Sequence, residues 1–291
     1  MSATELVDCG KGTLSVASTC RLLEVAPSSY YERRSRKPSQ RSLDDAALSI
    51  HVRETHLRSR CRYGSERVMR ALRKRGVRVG KNRVARLMRE QSLIARRKRR
   101  FRVTTASDHS LPIAPNLLEQ KFTASAPDRI WVGDMTYVWT REGWMYLAVL
   151  VDVFSRRVVG WAMRPYLTRD LPMEALRRAV ELRRPAPGLI HHTDRGSQYA
   201  SKDYHALMKT WKMRPSMSRS GNCFDNAMAE SFFATLEFEL LQGRVFESRS
   251  EAVWAVAKYI ENFYNRERLH SALGYQSPLD FEVEEAVAIA A

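Results

Sequence analysis

Cysteine is scarce in this chain, and the four present, Cys9, Cys20, Cys61 and Cys223, include no Cys-x-x-Cys pair. That excludes a zinc knuckle or a thioredoxin-like redox site and predicts reduced, structural thiols. His51 and His56 precede Cys61 at a spacing that suits no standard finger. Long apolar runs are missing too: the longest, Trp144 to Val151, is far short of the roughly 20 residues that cross a bilayer. There is no basic-then-apolar leader, no sustained heptad pattern and no internal repeat. The expected location is cytoplasmic, with no membrane partner.

Acidic residues are scarce only at one end. Residues 1–100 hold 26 Lys and Arg against 9 Asp and Glu, whereas residues 101–291 hold 23 of each. The whole net charge of +17 therefore lies in the first third, where a polyanion is the natural partner. Ribosomal or membrane-surface binding fits the same charge, so charge alone does not choose. With 291 residues, globular hydrophobic content and six Trp, the chain has enough material for one sizeable core plus a smaller module. The Trp residues are expected in that core rather than as base-stacking platforms.

The pattern divides the chain into four parts. Residues 1–42 read as a short helix and turn followed by a basic segment. Residues 43–102 read as a helix-turn-helix: Ser65 is a candidate cap for a helix with Val68, Met69 and Leu72 on one face, Gly76 ends it, and a second helix carries Val84, Leu87 and Met88. The outward faces are dense in arginine and lead into Arg96–Arg100. Only Glu66 and Glu90 oppose that charge between residues 62 and 100, too few for internal pairing, so phosphate binding is expected. The candidate contacts are Arg67, Arg70, Lys81, Arg83, Arg86, Arg97, Lys98 and Arg99. Residues 103–126, with Pro112 and Pro115, read as a linker.

Residues 127–291 change character. Three strands rich in Val, Tyr and Trp are expected at 130–140, 144–154 and 156–164, then a helix at 171–184, a strand at 188–192, a helix at 201–213, a strand at 214–218 and two long helices at 224–241 and 249–264. That order makes an α/β layered core. Three acids stand out in it. Asp134 lies inside an apolar strand, where an unpaired carboxylate is costly. Asp194 lies where a strand meets a loop bearing Gly196, a usual site position in open α/β sheets. Glu230 lies on a helix whose row Ala229, Phe233, Leu236 and Leu240 can pack on the sheet, with Asn226 one turn earlier as a group to orient it. Asp, Asp and Glu brought together are a hard-oxygen set for divalent cations and phosphodiester chemistry. Asp152, His191 and His192 are nearer to structural roles.

Together these residues resemble the catalytic core of the retroviral-integrase (DDE) superfamily. More narrowly they resemble the transposase of bacterial insertion sequences with two overlapping frames, this chain being similar to the downstream (B) frame. The resemblance extends to Ser155–Trp161, to Tyr264–Tyr275 with Pro278, and to the helix-turn-helix between Tyr63 and Leu93. It implies a ribonuclease-H-like integrase core, a mixed five-stranded sheet flanked by helices, preceded by the all-α helix-turn-helix region. It implies that Asp134, Asp194 and Glu230 are catalytic residues holding two Mg2+ ions, with Mn2+ able to substitute, for cleavage of element ends and strand transfer. The implied partners are DNA (element ends and target), the upstream-frame protein or a fusion with it, and further copies of this chain on DNA, in the nucleoid. The alternatives left open are a catalytically weakened copy acting as a DNA-binding regulator and a ribonuclease-H-like nuclease without strand transfer. One departure leaves two alternatives: two helical turns after the catalytic Glu the family usually carries Lys or Arg, and here the residue is Glu237, so either another base such as Arg219 or Lys212 takes over or the copy is weakened.

Overall fold

The computed structural model describes residues 3–10, 14–95, 113–219 and 223–290. Three short helices open the chain: α1 (Ala3–Gly10), α2 (Val16–Leu22) and α3 (Pro27–Ser35). They meet around Val7, Cys20 and Tyr30, and the Tyr30 hydroxyl donates to Asp8 at 2.7 Å. The segment expected to hold one helix thus holds three, each too short to show a clear apolar stripe.

The next helix, α4 (Gln40–Arg58), is capped by the Ser39 side chain, which accepts from the Ser42 amide. With α5 (Ser65–Lys74) and α6 (Lys81–Glu90) it forms the expected helical module, and the turn after α5 passes through Gly76 at φ 83°. Val52, Val68, Leu72, Val84 and Leu87 fill its centre. Leu269, 182 residues after Leu87, sits in the same core, with Tyr275 packed beside it. The Tyr63 hydroxyl accepts from the Leu269 amide at 2.8 Å, and Arg58 holds Glu267 at 2.9 Å. The carboxy-terminal signature is therefore part of the core of the helix-turn-helix module.

Beyond it the chain forms β1 (Ile130–Thr140), β2 (Gly143–Asp152), β3 (Val158–Arg164), α7 (Asp170–Arg183), β4 (Ile190–Thr193), α8 (Lys202–Thr210), β5 (Arg214–Met217), α9 (Ala227–Leu236), α10 (Arg249–Lys258) and α11 (Pro278–Ala290). The sheet runs in the order β3-β2-β1-β4-β5. The first three strands are antiparallel, whereas β4 and β5 run parallel to β1 and β4 respectively, so the sheet is mixed, as expected. Strand alternation sends Val132, Val149 and Val151 to a face covered by α9 and α10, and Trp131, Ala148 and Leu150 to the face covered by α7 and α8. Gly160 lets β3 approach α7: a Cβ there would lie 2.4 Å from the Ala175 carbonyl oxygen. π-helical turns at Glu237–Leu241 and Tyr259–Tyr264 follow α9 and α10.

Other expectations need correction. The strand at 144–154 ends at Asp152, because the Asp152 carboxylate turns the chain by accepting from Ser155 N at 3.0 Å and Asp128 N at 2.8 Å. Helix α11 was not expected at all. Of the Trp residues, Trp131 is fully buried, but Trp139, Trp144 and Trp254 are 48%, 45% and 63% exposed. Trp139 and Tyr137 share the odd-numbered face of β1 and stack edge-on against Trp144, at the hairpin end of the sheet. From residue 113 the expected linker is held in place: Asn116 and Gln120 donate to Asp225 at 2.9 and 3.0 Å, and Leu118 is buried. Among the described residues no helix is long and apolar enough to cross a membrane.

Candidate active site

Strand register explains why Asp134 and Asp194 come together. The parallel pairing of β1 with β4 matches Trp131 to His191 and Val132 to His192. Two more residues of the same register bring Asp134 abreast of Asp194, and partners in a parallel ladder point to one face. That face is the one Val132 presents to α9, the helix that carries Glu230. On α9 the buried row Ala229, Phe233 and Leu236, continued by Leu240, packs on the sheet as expected, leaving Glu230 half-buried at its edge.

The electrostatics show the same convergence. Burial pushes the Asp134 carboxyl well above the usual carboxylate range, Asp194 adds to the rise, and Glu230 adds a smaller share. The single opposing contact is the Met135 amide, which donates to Asp134 Oδ1 at 2.8 Å. The Glu230 carboxyl is also raised, by burial. Asp194 accepts from the Gly196 amide at 3.0 Å, and a Cβ at Gly196 would sit 3.0 Å from the same carboxylate oxygen, so a side chain there would press on Asp194. Among the described residues no three His, Cys, Asp or Glu side chains stand close enough to grip a metal ion as placed. The carboxylates are gathered on one face without being closed into a coordination shell.

The surrounding polar groups are mostly satisfied. His192 bridges Ser216 Oγ and the Asp225 carbonyl, each at 2.8 Å, and His191 pairs with the Tyr204 hydroxyl at 2.7 Å. Burial lowers both imidazoles, His191 to about 4, so they are neutral packing groups. Asn226 makes no hydrogen bond to Glu230; its Oδ1 is buried with no partner among the described residues. Arg219 is committed to Asp225 through Nε at 3.0 Å and Nη2 at 3.1 Å. Lys212 precedes β5 and so lies at the opposite end of these parallel strands from Asp194, which follows β4. Neither stands ready to replace the missing cation near Glu237, which is itself exposed.

The basic face differs from expectation in a way residues 62–100 could not reveal. Arg83 pairs with Asp45 at 2.6 Å, Arg86 with Asp45 and with Glu90 at 2.7 Å, and Arg70 and Lys81 with Glu66 at 3.1 and 3.6 Å. Lys74 pairs with Asp280 and Arg75 with Glu54. The acids the count missed come from α4 and α11. Most of these pairs are exposed, where each contributes about 0–1 kcal/mol and a phosphate can exchange for the carboxylate. Asp45 is the exception at 15% side-chain exposure, so Arg83 and Arg86 are the least available. Arg97, Lys98 and Arg99 lie outside the described residues.

The sheet order, the helix-turn-helix and the acids gathered from β1, β4 and α9 define an integrase-type, DNA-acting protein. Models described as "Integrase core domain" match residues 124–223 and 211–278, and one described as "HTH-like domain" matches 42–101. The chain is 43% identical over 271 residues, covering 92% of it and 94% of the relative, to the transposase InsF of insertion sequence IS3A from Escherichia coli. It is 45% identical over 262 residues (90% of this chain, 96% of the relative) to an uncharacterized 31 kDa protein of insertion element IS600 from Shigella sonnei. This chain belongs to the transposases of bacterial insertion sequences of the IS3 type, within the integrase superfamily. Among solved structures it is similar to a chain of a simian T-cell lymphotropic virus intasome (19% identity, TM-score 0.46, 60% of this chain and 59% of that one). Another is the HTLV-2 integrase catalytic core in complex with magnesium (17%, 0.41, 54% and 98%).

Proposed function

We propose that the chain cuts the ends of its insertion sequence and joins them to target DNA, with Asp134, Asp194 and Glu230 as the catalytic residues. What supports this reading is the Asp134 carboxyl, raised by burial and by the nearby Asp194 and Glu230 charges, on a strand whose parallel register with β4 leads Asp134 and Asp194 side by side. The donor set suits a hard divalent cation: it is all oxygen, it is partly desolvated, and its charge repulsion is what such an ion relieves. A buried Asn226 oxygen without a partner among the described residues lies one turn before Glu230. Two Mg2+ ions held by these residues, with Mn2+ able to substitute, would supply Lewis-acid activation of the attacking oxygen and charge relief for the leaving 3′ oxygen.

The chain's own groups do the positioning. The Gly196 amide orients Asp194, and the Met135 amide orients Asp134. Water attacks first, breaking one phosphorus–oxygen bond and freeing a 3′-hydroxyl, and that hydroxyl then displaces a 3′ oxygen in the target. No serine or tyrosine nucleophile is needed. The basic helices of residues 43–102 and the run Arg97, Lys98 and Arg99 grip the phosphate backbone, and several copies assemble on DNA together with the upstream-frame product or as a fusion with it.

The test is purified protein with labelled element ends and MgCl2. Cleaved and joined products are expected, and Asp134→Asn, Asp194→Asn or Glu230→Gln should abolish both while leaving the gel shift intact. Full activity in any of the three removes the site. Cleavage without joining marks a nuclease, and a gel shift without cleavage marks a DNA-binding regulator.

A further inference from the structure

Arg67, alone among the five described candidate DNA contacts, has no carboxylate partner. It lines a cavity of about 310 Å³ between α5, α9 and the segment from Tyr264 to Ala272. Arg156 and Arg268 line the same cavity, with Ser231 and Ser271 as hydroxyl donors. The charges there do not cancel. Arg268, 8% exposed, is matched by Glu239, whose carboxylate its Nε meets at 3.0 Å. Neither Arg67 nor Arg156 has an acid within ion-pair distance among the described residues, and neither is fully exposed, so two guanidiniums are partly desolvated without a counter-charge. Arg156 holds left-handed backbone (φ 61°), fixed by its amide to the Asp152 carbonyl at 2.9 Å. His270 borders the cavity and is pushed down to about 2, first by burial and then by Arg268, Arg156 and Arg67.

Like charges drawn into one concavity with serine hydroxyls mark an anion site, and guanidinium is the side chain that best fits phosphate. We infer that the cavity between Arg67, Arg156 and Arg268 is a phosphate subsite that takes a backbone phosphate of bound nucleic acid. The same phosphate would touch the helix-turn-helix through Arg67 and the catalytic helix through Ser231, one residue after Glu230. DNA seated on the basic module is thereby tied to the placement of the catalytic carboxylate. The inference takes the nature of its ligand from the DNA-acting reading above, but the site itself does not depend on that reading.

Inorganic phosphate titrated into the full-length protein in EDTA, followed by the NMR signals of the His270 ring, tests it without any catalytic step. A saturable shift is expected in the wild type and none in the Arg67→Gln/Arg156→Gln double variant; a duplex oligonucleotide should displace the phosphate. In gel shifts the double variant should bind duplex about tenfold more weakly, with a salt slope smaller by about 1. Ser271→Glu, which places a carboxylate in the cavity, should reproduce the loss, and urea midpoints confirm that each variant is folded. No saturable shift, or an equal shift in the double variant, overturns the subsite. A shift that duplex does not compete away overturns the nucleic-acid assignment in favour of a free phosphate ligand. Loss of cleavage with the phosphate response intact would count against the transposase mechanism alone.

Discussion

His270 offers a quantitative check on the packing between the two modules. Its ring is 7% exposed, lies edge-on to Tyr264 at 4.9 Å and has Arg268 Nη1 3.3 Å from each ring nitrogen, of which the unprotonated one accepts. Besides Arg268, the charged and titratable groups around it are Arg67, Arg156, Glu239 and Tyr264. Protonation in the fold would bury a fourth positive charge, and the imidazole is held near 2. In the unfolded chain it returns to about 6.5. The folded value is the lower one, so the stabilising contribution is fully present above about 6.5 and is lost as pH falls below it. At about 1.4 kcal/mol per pH unit, going from pH 7.5 to 5.0 costs about 2 kcal/mol from this residue alone. Any folded value below about 4 gives the same loss over that window. Urea denaturation of wild type and His270→Gln at the two pH values isolates the effect, because the other titrating groups are shared. Wild type should lose about 2 kcal/mol more than the variant over this interval. Equal losses would show that the imidazole is free to charge in the fold, and the close guanidinium packing would be wrong.

Three further outcomes are expected. Gly160→Ala forces a methyl against the Ala175 carbonyl oxygen and Ala179, so stability should fall by about 3 kcal/mol, read as a lower urea midpoint at unchanged slope; an unaffected midpoint rejects the close approach of β3 to α7. Asp225→Asn removes the carboxylate that holds Arg219, Asn116 and Gln120 together, and because Arg219 is 57% exposed the expected loss is about 2 kcal/mol rather than the full cost of a buried pair. Calorimetry checks it, and a change below about 0.5 kcal/mol would mean that segment is not anchored there. Glu237→Lys should tighten binding to element ends and steepen its salt slope by about 1, whereas an unchanged affinity would place that residue away from DNA.

The sheet and its acids were legible because local pattern and physics agree there. Val132 and Asp134 fall on the same side of β1, with Val149 opposite Asp134 on β2, and an Asp inside an apolar strand announces itself by its cost. The α9 row of Ala229, Phe233 and Leu236 is equally plain. What stayed hidden depends on distant pairing. No window around residues 62–100 contains Asp45, Glu54 or Asp280, so the basic helices looked unopposed when acids from α4 and α11 meet them. Trp139 and Trp144 have the composition of a core, yet they pair across the hairpin and stay about half exposed. Arg156 and Arg67 are 89 residues apart, and only the folded chain shows them sharing one cavity.

Leu269 inside the helix-turn-helix core has a practical meaning for anyone dividing this molecule. A fragment stopping at residue 102 would carry an open apolar socket where that leucine belongs, and a fragment starting at 127 would expose the leucine itself. Neither piece is a faithful stand-in for the whole. Early termination of translation would therefore disarm the DNA-reading end along with the catalytic one, making the last quarter of the chain a quality check on both.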